Sequence, residues 1–335
     1  MILAAAAYLA GASTQTIESR LRSAADAYYA NVAQVARVTN RDSTMDYYWR
    51  LRNDADAWAD SNSAYHRSDE TRNIFMAISE LDLSLATQLM RRAYRPMGEI
   101  RGLGETLVRS SKDGTMQPVA VYVPASYSAA NPANLVVFMH GSDQAESHLI
   151  AWPILTQLAE RTNTIVLAPY GRGYYDFNGS ESDIYDALDA GLANFTIAPK
   201  HRYLAGYSMG GFSIFSVAPM RAGEWSAVLC VAGALVQHKA ATVTATMGNI
   251  RFYIVTGAQD HVVPTLWPTV TATYLRDAGL RVSFYSQPDG THDLRTLHAA
   301  LPLAWEDMER GVLRMPWLLP GSVSLPVALP SARPN

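Results

Sequence analysis

Apolar residues recur at steps of three and four along the N-terminal part of the chain, which is the spacing of one face of an α-helix. Neither glycine nor proline occurs between Ala12 and Arg95, so nothing in this stretch interrupts a helix. The recurring positions are Ile17, Leu21, Tyr28, Val32 and Val35 in a first helix, Met45, Trp49 and Trp58 in a second that begins after Ser43, and Ile74, Ile78, Leu81, Leu85 and Leu89 in a third that begins after Ser68. The pattern predicts an all-α domain of helical hairpins over residues 1–95.

The pattern changes at Pro96, where short apolar runs begin to alternate with amphipathic stretches. Strand-like runs cover 99–108, 119–123, 135–139, 164–168, 203–205, 227–231, 251–255 and 282–285, and helical patterns cover 152–161, 182–195, 266–278 and 294–310. Asp113-Gly114 is a hairpin signal between the first two runs. The alternation predicts an α/β domain over 96–315, with a mostly parallel sheet, helices on both faces and a leading antiparallel hairpin. Five prolines from Pro316 onward predict an irregular tail over 316–335.

Composition narrows the classes of function. The formal net charge of −3 and the absence of charge runs offer no basic surface for nucleic acid. Cys230 is the only cysteine, which excludes an internal disulfide and a cysteine-rich metal cluster, and its apolar neighbours predict a buried strand residue. We expect neither a metal nor an organic cofactor. The helical domain is expected to pack on the α/β domain, to shade a site there or to form a homo-oligomer.

The N-terminal residues 1–13, MILAAAAYLAGAS, are apolar and end in small residues, as a secretory signal does, but no Lys or Arg precedes Arg20. The run is too short to span a bilayer, so no stable membrane insertion is expected. It is either an incomplete signal or the apolar start of the first helix. These features favour a cytoplasmic protein slightly over a secreted one.

The stretch 202–215, RYLAGYSMGGFSIF, combines a short apolar strand, a glycine-rich turn and a helical segment. The motif Gly206-x-Ser208-x-Gly210 is the pattern of a nucleophile elbow, in which the serine lies on a strained turn with its hydroxyl exposed above the sheet. The helix that follows points its N-terminal dipole and free N–H groups at the same place. Ser208 is therefore the candidate nucleophile. The alternative is an ordinary glycine-rich turn with a helix-capping serine.

Two further residues with suitable chemistry, Asp260 and His292, follow the strands predicted over 251–255 and 282–285. Carboxyl ends of parallel strands meet at one edge of a sheet, where functional groups gather. An aspartate there accepts a hydrogen bond from histidine Nδ1–H and leaves Nε2 free to deprotonate Ser208. A histidine, with an ordinary pKa of about 6.5, takes and returns a proton at neutral pH. The alternative bases are His238, His261 and His298; we favour His292, because His261 adjoins the acid and His298 lies in a helical pattern.

The loop after the strand over 135–139 reads His140-Gly141-Ser142-Asp143. An oxyanion hole requires two N–H donors that are fixed before charge develops on the carbonyl oxygen. The N–H of Met209 is one such donor by position, and we predict that Ser142 supplies the second, with Asp143 as the alternative. His140 fits a structural hydrogen-bonding role better than that of the base.

Aromatic residues near the strand ends are candidates for a substrate pocket or, equally, for core and loop packing. They are Trp152, Tyr170, Tyr174, Tyr175, Phe177 and Trp267. Several lie in the segment PYGRGYYDFNG, where we expect walls that accept an aryl or sugar-linked acyl group.

The segments VYVPASY, LVVFMHGS, RYLAGYSMGGF and TGAQDHVVP, with a histidine after the last strand, resemble those of α/β-hydrolases. Over about residues 99–310 the chain resembles the esterase branch, which includes feruloyl and acetyl xylan esterases, esterase D and polyhydroxybutyrate depolymerases. It also resembles the catalytic domain of prolyl-oligopeptidase-type peptidases. The order Ser208, Asp260, His292 is that of α/β-hydrolases. The chain departs from these families in lacking paired cysteines and a propeller.

The resemblance implies Ser208 as nucleophile, His292 as base and Asp260 as the orienting acid. The predicted activity is that of a serine hydrolase that cleaves small-molecule carboxylic esters through an acyl-enzyme, as a carboxylesterase or a feruloyl-type esterase does. One alternative is a serine peptidase of the prolyl-oligopeptidase type that acts on short peptides. An alternative of another class is a non-catalytic binding or scaffolding protein whose helical domain is the working part.

Overall fold

The chain divides into two units, Met1–Tyr94 and Arg95–Asn335. The computed structural model describes residues 15–173, 177 and 179–314, apart from the side chains of Arg41 and Asp42. The signal-like segment 1–13, the tail 316–335 and the two tyrosines Tyr174 and Tyr175 therefore lie outside the described residues. In the described part of the chain, no helix has both the length and the apolar character needed to cross a membrane.

The first unit is built from helices, and capping side chains set the starts of the three longer ones. The helices are α1 Ile17–Ala30, α2 Val32–Val35, α3 Arg41–Ala59 and α4 Asp69–Arg91, with a 3-10 turn over Ala64–His66. Thr16 accepts from the Ser19 N–H at the start of α1, and Ser68 and Thr71 form a reciprocal capping box at α4. The apolar face predicted for α4, from Ile74 to Leu89, is buried.

The second long helix differs from its prediction in two ways. It begins at Arg41, before Ser43, because the side chain of Asn40 accepts a hydrogen bond from the Ser43 N–H at 2.7 Å and so caps the helix. Trp58 is buried, and its Nε1–H donates to Ser79 Oγ at 2.9 Å. Trp49 is 52% exposed, so the apolar core position predicted for it is wrong.

The second unit is built around one eight-stranded sheet with the strand order β1-β2-β4-β3-β5-β6-β7-β8. Its strands are β1 Gly102–Arg109, β2 Met116–Val123, β3 Ala133–Met139, β4 Thr164–Pro169, β5 Ile197–Tyr207, β6 Ala227–Val231, β7 Arg251–Gly257 and β8 Arg281–Gln287. β1 pairs antiparallel with β2, and β2 with β4, whereas all the other pairs are parallel. The predicted parallel sheet with a leading antiparallel hairpin is confirmed.

Helices connect the parallel strands, as parallel pairing requires. They are α5 Glu146–Ile150, α6 Pro153–Thr162, α7 Glu181–Asn194, α8 Met209–Val217, α9 Ala240–Thr246 and α10 Leu266–Asp277. One further helix, α11 Ala300–Arg310, follows the last strand. Strands β4 and β6 are buried along their whole length, and Cys230 on β6 is buried as predicted. Burial raises the pKa of the Cys230 thiol, which keeps it protonated and unreactive.

Two predicted boundaries are wrong for local reasons. Met97–Glu99 forms a 3-10 turn, so β1 begins at Gly102 instead of residue 99. The helix predicted over 294–310 is a 3-10 turn, Leu294–Leu297, followed by α11. Pro302 has no N–H with which to continue a helix from the preceding turn, but it is tolerated in the first turn of α11, where N–H groups have no intrahelical partner.

The order of the strands decides where a site can form. β3 lies between β4 and β5, so the chain leaves β3 in one direction across the sheet and reaches β5 on the other side. The loops after β3 and β5 therefore face each other at a topological switch point, which is where open α/β sheets bind ligands. The loops after β7 and β8 lie at the same edge, because both strands are parallel to β5.

Candidate active site

Ser208 occupies the sharp turn between β5 and α8. Its backbone has φ 52° and ψ −116°, a strained conformation for a residue with a side chain. The Ser208 N–H donates to the Val231 carbonyl at 2.9 Å, and the Ser208 carbonyl accepts from Phe212 N–H at 3.0 Å. The turn is thus fixed from both sides, with the serine immediately before the N-terminus of α8.

The glycines of the motif are required by close backbone packing. A Cβ on Gly206 would overlap the carbonyl of Gly210, and a Cβ on Gly210 would overlap the carbonyl of Met139 at the end of β3. The Gly210 N–H donates to the His140 carbonyl at 3.0 Å. The elbow can therefore lie directly against the loop after β3, and that loop becomes a neighbour of the nucleophile.

Three side chains distant in sequence form a connected chain of hydrogen bonds at this edge. His292 Nε2 lies 2.9 Å from Ser208 Oγ. His292 Nδ1 lies 2.8 Å from Asp260 Oδ2. With the proton of the neutral imidazole on Nδ1, Nε2 is the acceptor for the serine hydroxyl, which is the arrangement needed to deprotonate it.

The carboxylate of Asp260 is held in place by its own loop. Oδ1 accepts from the Val262 N–H at 2.9 Å and the Val263 N–H at 2.8 Å, and the Asp260 side chain has no solvent exposure. Oδ2 is left for His292. One oxygen thus orients the carboxylate and the other orients the imidazole.

Backbone contacts join the loop that carries the acid to the loop that carries the base. The Ala258 N–H donates to the Gln287 carbonyl, and the Gln259 N–H donates to the Gly290 carbonyl, each at 2.8 Å. A Cβ on Gly257 would overlap the backbone of Gly290. The two loops therefore pack directly against each other.

The residues predicted for an oxyanion hole lie on the two loops that face each other across the switch point. Met209 is the first residue of α8, so its N–H has no partner within the helix. On the other loop, the Gly141 N–H donates to Gln144 Oε1 at 3.2 Å, and the next residue, Ser142, is exposed. His140 is fully buried between the carbonyls of Gly141 and Tyr170, at 2.8 and 3.0 Å from its ring nitrogens, which agrees with the structural role predicted for it.

A cleft of about 330 Å³ opens beside the imidazole of His292. Its lining residues are Gln144, Trp152, Tyr207, His292, Asp293, Leu294 and Arg295. The Arg295 guanidinium lies 5.2 Å from the centre of the Trp152 ring, and its Nε–H is shared between both carboxylate oxygens of Asp293. Burial opposes ionisation of Asp293, but hydrogen bonds from Arg295 outweigh it and lower the pKa of Asp293.

The structure places the predicted substrate residues in different surroundings. Trp152 lines the cleft. Tyr170 is fully buried, so the substrate wall predicted for it is corrected to a core position. Phe177 is also buried, against His140, and Trp267 packs edge-on against Phe212. The alternative bases His238, His261 and His298 are all exposed.

Sequence reasoning missed five of the lining residues, namely Gln144, Tyr207, Asp293, Leu294 and Arg295. A usable signal existed for three of them. Tyr207 is the first variable position of the elbow motif, Gln144 follows the loop after β3, and Asp293 is adjacent in sequence to His292. Arg295 had no such signal, because its position depends on the 3-10 turn over Leu294–Leu297.

Comparison with known proteins identifies the fold. No family model matches the sequence, and no curated protein matches it. Solved structures do match. The fluorophosphonate-binding serine hydrolase F of Staphylococcus aureus is 16% identical over 62% of this chain and 98% of its own, with a TM-score of 0.52. The S-formylglutathione hydrolase of the same organism is 17% identical over 63% and 98%, also at 0.52. A ferulic acid esterase from Anaeromyces mucronatus, solved with ferulic acid, is 17% identical over 61% and 89%, at 0.50.

These likenesses and the sheet topology define the class: the chain has the α/β-hydrolase fold. The order of Ser208, Asp260 and His292 along the chain is the order found in that fold. At identities of 16–17% the likeness concerns the fold alone.

Proposed function

We propose that this protein is a serine hydrolase that cleaves small carboxylic esters through an acyl-enzyme. The observation that carries the proposal is the unbroken hydrogen-bonded chain from Ser208 through His292 to the buried Asp260. A serine hydroxyl is a weak nucleophile at neutral pH and needs an adjacent base, and that base needs a third group to fix its tautomer. Hydrogen bonds that fit both requirements lie at the edge of the sheet where open α/β folds bind ligands.

Acylation begins when the Ser208 hydroxyl attacks the ester carbonyl carbon while His292 Nε2 removes its proton. The carbonyl oxygen becomes an oxyanion, which we assign to the N–H groups of Met209 and Ser142. The tetrahedral intermediate collapses by breaking the ester C–O bond. His292 returns the proton to the departing alcohol, which leaves the acyl group on Ser208.

Deacylation repeats the sequence with water as the nucleophile. His292 removes a proton from the water as its oxygen attacks the acyl carbon, and the same proton then returns to Ser208 as the acid departs. Asp260 keeps its hydrogen bond to His292 Nδ1 and stabilises the imidazolium that forms transiently on His292.

We infer the size and character of the substrate from the cleft. A volume of about 330 Å³ is near the lower limit of small-molecule pockets, which favours a compact ester. Trp152 offers an aromatic face, while Gln144, Asp293 and Arg295 offer hydrogen-bonding groups. The ferulic acid esterase among the structural relatives supports an ester as the reacting group.

A fluorophosphonate probe tests the nucleophile directly. The wild-type protein should be labelled, and Ser208→Ala should not be labelled and should lose ester hydrolysis by at least about 10⁴-fold, because no other group is activated at this place. Ser213→Ala is the matched control. Ser213 lies on the same helix and its hydroxyl only donates to the Met209 carbonyl at 2.8 Å, so this variant should be labelled like the wild type.

Parallel assays with p-nitrophenyl esters and aminoacyl nitroanilides distinguish an esterase from a peptidase. We expect turnover of the esters and little of the anilides. Labelling of Ser208→Ala would refute Ser208 as the nucleophile. A wild-type protein that is folded, unlabelled and inactive on both substrate panels would refute the hydrolase and leave a binding protein.

A further inference from the structure

Tyr207, the residue immediately before the candidate nucleophile in the elbow motif, contacts the backbone of the candidate base. Its phenol hydroxyl donates a hydrogen bond to the main-chain carbonyl of His292. Because Tyr207 is bonded to Ser208, and Ser208 is hydrogen-bonded to the His292 imidazole, these groups form a closed ring. The nucleophile is thus joined to the base both through its side chain and through the residue before it.

This hydrogen bond completes the support of the segment that carries His292. On the opposite side, the acid loop holds the same segment through the Gln259 N–H to the Gly290 carbonyl. His292 lies in a loop outside any helix or strand. Its imidazole therefore keeps its place above Ser208 only if its backbone is anchored, and Tyr207 supplies the anchor on the elbow side.

The ring of Tyr207 is as closely packed as its hydroxyl. Its centroid lies 5.3 Å from that of the His292 ring. On another side, a Cβ on Gly141 would come within 3.0 Å of the tyrosine ring and 3.3 Å of Ser208 Cβ. Tyr207 therefore touches both the loop assigned to the oxyanion hole and the residue assigned as the base.

The hydroxyl of Tyr207 is maintained as a donor by its surroundings. The residue is 7% exposed. Burial, followed by the negative charges of Asp293 and Asp260, raises the pKa of Tyr207. The phenol stays neutral and protonated over the working range of such an enzyme, so the hydrogen bond to His292 persists when the imidazole changes its charge.

We propose that Tyr207 is a positioning residue for the base: its hydroxyl holds the backbone of His292 at the distance from Ser208 that proton transfer needs. This inference rests on the proposed function. It assigns Tyr207 no contact with the reacting atoms, so the hydroxyl should influence the chemical step and not the affinity for substrate.

The test compares Tyr207→Phe with a matched control, Tyr285→Phe. Tyr285 lies on β8 and not at the elbow. It is also buried, and its hydroxyl donates to Asp307 Oδ2 at 3.0 Å. Tyr207→Phe keeps the ring and removes one hydrogen bond, so kcat and the rate of fluorophosphonate labelling should fall by about three- to ten-fold with KM unchanged. Tyr285→Phe should lower the melting temperature but leave both rates within about two-fold of wild type.

Each other outcome overturns the proposal. A Tyr207→Phe enzyme with wild-type kcat shows that the hydroxyl does not position the base. A raised KM with unchanged kcat shows a substrate contact instead, and an equal loss in both variants shows a general effect of stability. Tyr207→Leu, checked for folding by circular dichroism, provides a second variant and should lose at least as much kcat. If the wild type itself is neither labelled nor active, the proposed function fails, and that result is distinct from all of these.

Discussion

At the scale of single residues, the candidate site depends on which atom of each side chain faces which partner. Asp260 illustrates this: Oδ1 accepts from Val262 and Val263, and Oδ2 accepts from His292. Its place after a predicted strand could be read from the sequence, but which partner each of its two oxygens binds could not. The same limit applies to Tyr170, because whether an aromatic ring lines a cleft or the core depends on its neighbours in space.

Replacement of Asp260 by asparagine should keep the hydrogen-bonding geometry at this position but change the tautomer of the His292 imidazole. The amide oxygen can still accept from the Val262 and Val263 N–H groups, which turns the NH₂ group toward His292 Nδ1. Nδ1 must then act as acceptor, so the imidazole proton moves to Nε2 and the base can no longer accept from Ser208. We expect kcat for an ester to fall by about 10³- to 10⁴-fold at neutral pH.

The control for this variant is Asp289→Asn, on the loop that carries the base. Asp289 accepts from Gln287 Nε2 at 2.6 Å and does not contact the site, so this variant should keep kcat within about two-fold of wild type. Retention of more than about a tenth of kcat by Asp260→Asn would contradict the role of Asp260 as the orienting acid.

At the scale of elements, periodicity and turn chemistry predicted the helices and strands, whereas their ends were set by individual contacts. The start of the second long helix was misplaced because Asn40 caps it at Arg41. The helix predicted over 294–310 is instead a 3-10 turn followed by α11, because Pro302 in the first turn of α11 has no N–H with which to continue a helix from the preceding turn. The elbow was predicted correctly, because its glycines are visible in the sequence. The packing of β5, α8 and β3 decides which backbone atoms lie against these glycines, and the sequence does not show it.

Gly210→Ala tests that packing. The added methyl group would meet the backbone carbonyl of Met139, which cannot move without disturbing the end of β3. We expect a loss of about 3 kcal/mol or more in the free energy of unfolding, or an insoluble product, measured by urea denaturation and soluble yield.

Gly223→Ala serves as the control, since a Cβ there meets nothing within 4 Å. That variant should unfold within about 0.5 kcal/mol of wild type. Equal stability of Gly210→Ala and wild type would show that the elbow does not lie against β3 as described.

At the scale of the whole sheet-containing unit, the buried carboxyl group of Glu309 joins the last helix, α11, to the edge of the sheet opposite the site. Thr164, at the start of β4, donates to Glu309 Oε1, and Tyr203 on β5 donates to the Glu309 carbonyl at 3.3 Å. Burial raises the pKa of Glu309 to about 7, against opposing hydrogen bonds from neighbours such as Thr164. Glu309 lines a cleft of about 610 Å³, together with Arg161, Glu306 and Arg310.

Stability should therefore fall as the pH rises from 4.5 to about 7. Because the folded-state pKa of Glu309 is higher than its ordinary value of 4.5, this group favours the folded state fully below pH 4.5, and that advantage is lost by the time the pH has passed about 7. Over that interval the contribution amounts to about 3 kcal/mol. Glu309→Gln, which cannot ionise, should show a smaller fall in the free energy of unfolding between pH 5 and pH 8 than wild type does.

Urea denaturation at the two pH values measures the difference. Glu306→Gln is the control, because Glu306 is on the same helix with a more exposed side chain and should leave the pH dependence unchanged. Parallel curves for wild type and Glu309→Gln would show that Glu309 does not carry the effect.

The sequence by itself determined the class of fold and the identity of the three candidate catalytic residues. Hydrophobic periodicity, glycine spacing and the position of a residue after a strand are local properties, and the order of the elements limits how they can assemble. Tertiary structure decided which rings line the cleft, that Tyr207 anchors His292, and that Glu309 is buried where its carboxyl group resists ionisation. These features arise from contacts between residues far apart in the chain, such as Tyr207 with His292 and Thr164 with Glu309, and no local pattern records them.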